Sequence, residues 1–253
     1  MAAEGFWNNQ ETAQETVARL KTGKAVVAPI AEMLSAGEDL EAMVEMAPRD
    51  AAATYQMGIA GDTMNTAWYL RRLLPDTNQV DFLTAVGTDS VSDHMVDFLD
   101  AAKIGTDHIA RNSDLTVGLY MIQLNNGERS FSYWRGQSAA RRLAQDTGAL
   151  NTALAGADIA YFSGISIAIL PKDERLNLLD ALRAFRAQGG QVVFDPNLRP
   201  KLWDNTQEML DAVMQAAAVS DLILPSHEDE ADWFGDADPE ATALRYQNNG
   251  ATT

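Results

Sequence analysis

The chain has 253 residues, ample for a sizeable core, and its 46% hydrophobic content excludes intrinsic disorder by composition. A net charge of −17 repels phosphate backbones and excludes nucleic-acid binding as the main activity, while the absence of cysteine excludes disulfides, thiolate metal sites and cysteine nucleophiles and fits a reducing, cytoplasmic setting. No apolar run approaches a membrane span, and Met1–Gln10 carries Glu4 with no basic stretch, so neither a membrane partner nor a signal peptide is expected.

From Glu11 to Ala47 apolar residues recur at helical spacing: Val17, Leu20, Val27, Ile30, Leu34, Leu40, Met43 and Val44. The pattern predicts two helices with a break near Pro29, which cannot donate inside a helix. From Pro48 onward strands alternate with helices. Val80–Val86 reads as a strand, followed by a helix that runs to Ala102. Thr116–Leu124 and Arg129–Arg135 read as strands around Asn125-Asn126-Gly127-Glu128, a strong hairpin signal. Period-two geometry places Arg129, Phe131, Tyr133 and Arg135 on one hairpin face, with Ser130, Ser132 and Trp134 on the other. Asp158–Gly164 is a short buried strand. A helix opened by Pro171 carries apolar Leu176, Leu179, Leu182 and Phe185 and stops at Gly189-Gly190. A strand at Gln191–Asp195, a helix over Asn205–Ala218 and a strand at Asp221–Pro225 complete the series. This alternation predicts an α/β fold with a parallel sheet covered on both faces, a hairpin lid and an N-terminal helical segment.

Ligands in such sheets bind beyond the carboxyl ends of the strands, so the loops after each strand are the candidate sites. In Gly58–Tyr69, Gly61 allows a tight turn, Asp62 or Thr63 is placed to cap a helix, and Asn65 lies in its first turn. Free N–H groups there suit a polyol, a carboxylate or a phosphate; an ordinary capped junction is the alternative. The hairpin offers Tyr120, Tyr133 and Arg135, a carboxylate fork beside tyrosine hydroxyls, or else a solvated edge strand. Asp195-Pro196-Asn197-Leu198-Arg199-Pro200 places Asn197 and Arg199 on a loop stiffened by two prolines, or is a plain turn. His227-Glu228-Asp229-Glu230 suits magnesium held through water, or a solvated acidic loop. Gly189-Gly190-Gln191 matches a peptidyl-hydrolysis tripeptide of translation release factors, but the helix stop accounts for its glycines.

The stretches GIAGDTMNTAWYLRRLLP, VDFLTAVGTDSVS, GLYMIQLNNGERSFSYWR, YFSGISIAIL, VVFDPNLRPKLW and SHEDEADWFG carry a resemblance. In their order and spacing, from about Glu45 to Ala251, the chain resembles the 2-keto-3-deoxygluconate kinase branch of the ribokinase/PfkB sugar-kinase family. That resemblance implies a ribokinase-like, Rossmann-like fold and transfer of the ATP γ-phosphoryl group to the 6-hydroxyl of the sugar acid, with magnesium. It implies that Gly61, Asp62 and Asn65 hold sugar hydroxyls and that Tyr120, Tyr133, Arg135 and Arg199 contact the sugar acid or the moving phosphoryl group. Asn197 and Glu230 would lie on the nucleotide side, with Glu230 associated with the metal. It also implies a homodimer through the hairpin, for which Trp134 on the second face is suited.

Two departures accompany it. In the family the nucleotide-binding end and its catalytic aspartate lie beyond the point matching Thr253, and the first strand is replaced here by helix up to Met43-Val44-Glu45-Met46-Ala47-Pro48. Residues 48–253 are therefore expected to form a partial kinase domain with little turnover, and Ser226 or His227 stands where the magnesium-associated asparagine belongs. Residues 1–47, through Phe6-Trp7-Asn8-Asn9 and the ETAQETVARLK rhythm, resemble the N-terminal helical domain of bacterial peptide chain release factor 2. The alternative expectation is a non-catalytic fusion or interaction protein, or a kinase for a related sugar.

Overall fold

A computed structural model describes residues 57–125 and 128–251. The chain divides into residues 1–60 and 61–253, and every element below belongs to the second unit. The helices expected over Glu11–Ala47, and with them the release-factor-like segment, lie outside the described residues.

Helix α1 (Asp62–Leu73) starts from Gly61, which caps it without any side-chain bond. Neither Asp62 nor Thr63 is the cap; Asp62 is the first helical residue, and its carboxylate is engaged by other elements. Leu74 is extended ahead of Pro75, the backbone state that proline imposes on its predecessor. The Arg71 guanidinium then closes the exit turn by donating to the Leu74 carbonyl at 2.9 Å and the Pro75 carbonyl at 2.8 Å.

Strand β1 (Thr84–Val86) leads into α2 (Ser90–Ala101), capped by Asp89, which accepts from the Val91 and Ser92 amides at 3.0 Å each. The Thr116 hydroxyl also donates to Asp89, and with the Ser92 bonds it holds that carboxyl well below the usual range. β1 pairs in parallel with β2 (Ile109–Arg111), a strand of only three residues that is too short to leave a period-two signal. The strand expected over Val80–Val86 is shortened for a related reason, since Asp81 makes only an isolated bridge to Gly105.

The hairpin is β3 (Leu119–Asn125) and β4 (Glu128–Trp134), antiparallel with Tyr120 opposite Tyr133 and Asn125 opposite Glu128. After α3 (Thr147–Leu154) comes the central parallel sheet of β5 (Ile159–Ser163), β6 (Gln191–Asp195) and β7 (Leu222–Ile223), in that order. The expected strand Asp221–Pro225 pairs fully only at two residues, although the Asp221 and Leu224 amides still bond the Val192 and Phe194 carbonyls. Among the described residues the strands form three separate pieces rather than one continuous sheet.

Val192, Val193 and Phe194 are all buried, so both faces of β6 are covered. Helices α4 (Gly164–Ala168), α5 (Lys172–Ala187) and α6 (Thr206–Ala218) connect the strands, followed by α7 (His227–Phe234) and α8 (Pro239–Asn248). α5 buries Leu178, Leu179, Ala181, Leu182 and Phe185 in a core shared with Met209 and Val213 of α6. Full burial of each larger side chain contributes roughly 1.5–3 kcal/mol. Leu176, expected on that face, is exposed, because two residues before Leu178 on a helix is the opposite side. α5 ends where Gly189 takes φ 98°, and Gly190 lets the Phe185 ring lie against the backbone, so both glycines serve the helix stop.

Candidate functional site

Three elements converge at the carboxyl ends of β5 and β6. Asp62 comes from the first turn of α1, Ser163 is the last residue of β5, and Asp195 is the last residue of β6, with Asn197 two residues beyond it. The Ser163 hydroxyl donates to Asp62 Oδ2, and the Asn197 side-chain amide donates to the same oxygen at 3.2 Å. No other hydrogen bond reaches the Asp62 carboxylate from the described residues, and both of these fall on Oδ2. Asp195 Oδ1 accepts the Asn197 backbone N–H at 3.0 Å, and Oδ2 accepts the Tyr161 hydroxyl at 3.3 Å. Asn197 has φ 34°, in the left-handed region that asparagine tolerates better than most residues.

Burial, and then the neighbouring Asp62 charge, push the Asp195 carboxyl up to about 6; the Asn197 N–H, Tyr161 and Arg199 pull the other way. Burial and the Asp195 charge likewise raise the Tyr161 phenol. Because the folded value of Asp195 exceeds its ordinary one of 3.8, its ionisation opposes folding. The cost is absent below about pH 4 and grows as pH rises through about 6, reaching at most about 3 kcal/mol. Asp195→Asn keeps the shape without the charge. It is expected to unfold at a higher temperature than the parent at about pH 7 and at nearly the same temperature at about pH 4, as scanning calorimetry at both values would show.

The remaining expected residues fall into three places. On the hairpin the Tyr120 and Tyr133 rings lie 6.2 Å apart, Phe131 stacks on Tyr133 at 6.0 Å, and the Arg135 guanidinium lies 4.3 Å from the Tyr133 ring centroid. These residues share one face, as period two requires, while Arg129's side chain lies outside the described set. Leu119 and Trp134, opposite each other on the second face, are both exposed. Gly61 and Asn65 begin α1, where the Asn65 N–H bonds the Gly61 carbonyl at 2.7 Å. Arg199 donates to the Leu198 carbonyl at 2.7 Å, and its charge acts on Asp195.

The Asn197 side-chain amide, expected on the nucleotide side, donates to Asp62, the residue assigned to the sugar. The surroundings expected for Glu230 need correction. Glu230 is not in a solvated loop, and it shares the Arg245 guanidinium with Asp236. It lies in the first turn of α7 with 0% exposure, taking Arg245 on Oε2 at 2.6 Å and the Tyr246 hydroxyl on Oε1 at 2.9 Å. Among the described residues no group of three His, Asp or Glu side chains is placed to hold a metal ion, and both Glu230 oxygens are already engaged by Arg245 and Tyr246.

The sequence reading includes Asp195 in its candidate loop but gives it no role, and it passes over Tyr161 and Ser163. Ser163 is the last residue of β5, where the rule that ligands bind past strand ends also points.

A carboxylate bonded by an amide and a hydroxyl lies at the carboxyl ends of parallel strands, where α/β folds bind their ligands. Residues 32–253 match the pfkB family of carbohydrate kinases, and the chain belongs to that family. It is 37% identical over 214 residues to the 2-dehydro-3-deoxygluconokinase of Haemophilus influenzae and 38% identical over 214 residues to that of Dickeya dadantii. Each match covers 83% of this chain and 68% of the relative. Among solved structures it is similar to the PfkB protein of Polaromonas sp. JS666, with a TM-score of 0.71 and 28% identity over 81% of this chain and 68% of that one. The fold is accordingly ribokinase-like. No helix of the described residues is long and apolar enough to cross a membrane.

Proposed function

We propose that the protein is a kinase for 2-keto-3-deoxygluconate, the sugar acid also called 2-dehydro-3-deoxygluconate. The γ-phosphoryl group of ATP would pass to its 6-hydroxyl. The observation that carries this reading is the 37–38% identity to 2-dehydro-3-deoxygluconokinases in a chain whose Asp62 carboxylate is held at the strand ends with Oδ1 open.

In this reading Asp62 accepts a sugar hydroxyl, with Gly61 and Asn65 beside it at the start of α1. The hydroxyls of Tyr120 and Tyr133 reach the polyol from the hairpin. Arg135 and Arg199 supply positive charge for the sugar-acid carboxylate or the moving phosphoryl group, which a protein of net charge −17 provides only locally. Positioning of acceptor and donor is most of what a phosphoryl-transfer enzyme contributes, and these residues supply the acceptor half. The exposed face bearing Leu119 and Trp134 fits a homodimer formed through two hairpins.

Titration calorimetry with 2-keto-3-deoxygluconate, fructose and ribose tests the substrate. Affinity for the sugar acid is expected to exceed that for either neutral sugar by at least about tenfold, the effect of one charge-assisted bond. Tighter binding of a neutral sugar, or no saturable binding of the sugar acid by cooperatively melting protein, would overturn the assignment.

A further inference from the structure

Asp195 sits beside the sugar site, yet both of its oxygens are occupied from within the protein. Oδ1 accepts the Asn197 N–H and Oδ2 accepts the Tyr161 hydroxyl. The first of these bonds closes a two-residue turn over Pro196 and holds Asn197 in its left-handed conformation. In that conformation the Asn197 side-chain amide points at Asp62 and reaches Oδ2 at 3.2 Å. The turn cannot relax toward α4, because Gly164 already packs against the Pro196 carbonyl so closely that a Cβ would lie 1.9 Å from it. The groups facing Asp195 are Tyr161 from β5, Asp62 from α1 and Arg199 from the loop beyond β6. A buried carboxylate placed beside another carboxylate is costly to keep. A residue present only for stability would be served better by a neutral side chain.

We propose that Asp195 is a positioning residue of the sugar site, which aims the Asn197 amide at Asp62 and touches no substrate itself. This rests on the reading of Asp62 as the sugar-hydroxyl acceptor. Asp195 thereby sets the direction of the open Asp62 Oδ1, and the energetic cost of its charge is the cost of a rigid acceptor.

The test uses the full chain and the variants Asp195→Ala, Asp195→Asn, Asn197→Gly and Asp195→Ala/Asn197→Gly, each first shown to melt cooperatively. Asp195→Ala removes the acceptor that holds the turn and is expected to weaken 2-keto-3-deoxygluconate binding about tenfold. Asp195→Asn, whose side-chain carbonyl still accepts the Asn197 N–H, should restore affinity to within about threefold of the parent. The double variant should bind no more weakly than Asn197→Gly alone, since both changes break one path. In proton–nitrogen correlation spectra without sugar, the Asn197 side-chain amide should shift in Asp195→Ala and return in Asp195→Asn. Undiminished binding by Asp195→Ala, or additive losses in the double variant, would overturn the proposal. If the parent itself ignores the sugar acid, the substrate reading fails. The amide signal then decides alone: shift and return support the positioning role, and an unmoved signal overturns it.

Discussion

Replacing Arg245 with methionine is expected to lower stability by about 3–5 kcal/mol near neutral pH, the usual loss when one partner of a buried ion pair is removed. Glu230 has 0% exposure, and burial already pushes its carboxyl above the ordinary value against the opposing pull of Tyr246 and Arg245. Without Arg245 only the Tyr246 hydroxyl would remain to serve it. Asp236 would lose its ion-pair partner as well and keep only Thr242, since the same guanidinium bonds it at 2.7 Å and is the largest influence holding its carboxyl below the usual range. The rings of Phe234 and Tyr246 lie 3.7 Å and 4.3 Å from that guanidinium, so packing is lost together with charge.

The sign of the pH effect follows from these two carboxylates. Glu230, with a raised folded value, opposes folding as pH rises, and in the variant it opposes folding more strongly. Asp236, with a lowered value, stabilises the parent above the ordinary carboxylate range, and the variant lacks the share of that contribution that Arg245 supplies. The Glu230 effect fades on acidification toward about pH 4, whereas the Asp236 contribution is lost only below its ordinary value of 3.8. The gap between parent and variant should therefore narrow in part toward about pH 4, through Glu230. Glu230→Gln should cost less, because its carbonyl keeps the Tyr246 bond and Arg245 keeps Asp236. Urea unfolding at both pH values measures these differences. A loss under about 1 kcal/mol at neutral pH for Arg245→Met would contradict the buried ion pair.

Gly164→Ala is the second large effect. Gly164 opens α4 directly after Ser163, and a Cβ there would stand 1.9 Å from the Pro196 carbonyl oxygen and 2.9 Å from its carbon. The obstacle is backbone, which cannot swing aside as a flexible side chain would. The loop after β6 must move, and Asn197 moves with it. Overpacking of this kind costs about 1–3 kcal/mol. Because the displaced loop carries the amide that bonds Asp62, sugar-acid affinity is expected to fall by at least about tenfold as well. Gly136→Ala, where an added Cβ meets nothing within 4 Å, serves as the neutral control. Thermal melts and calorimetric titration of the two variants separate the outcomes, and unchanged affinity in Gly164→Ala would show that the loop yields without disturbing Asp62.

The alternation of strands and helices, the hairpin register and the stop at Gly189-Gly190 were legible from the chain because each depends on neighbours in sequence. Period two sorts Phe131 and Tyr133 from Ser132 and Trp134 with no reference to the rest of the fold, and a glycine with positive φ ends a helix wherever it sits. Asp62, Asn197 and the hairpin tyrosines stood out for the same reason, in short stretches with a recognisable composition. Tertiary structure alone decided how they are used. Ser163 and Asn197 meet Asp62 across 101 and 135 residues, and no local pattern encodes a bond over such a separation. The raised Asp195 carboxyl needs burial and the approach of α1, neither of which exists in the isolated strand. Glu230 reads in sequence as one of a run of solvated acids and becomes structural only when α8 brings Arg245 and Tyr246 against it. Local periodicity thus set which elements form, and long-range packing set which polar groups are buried and which partners each carboxylate meets.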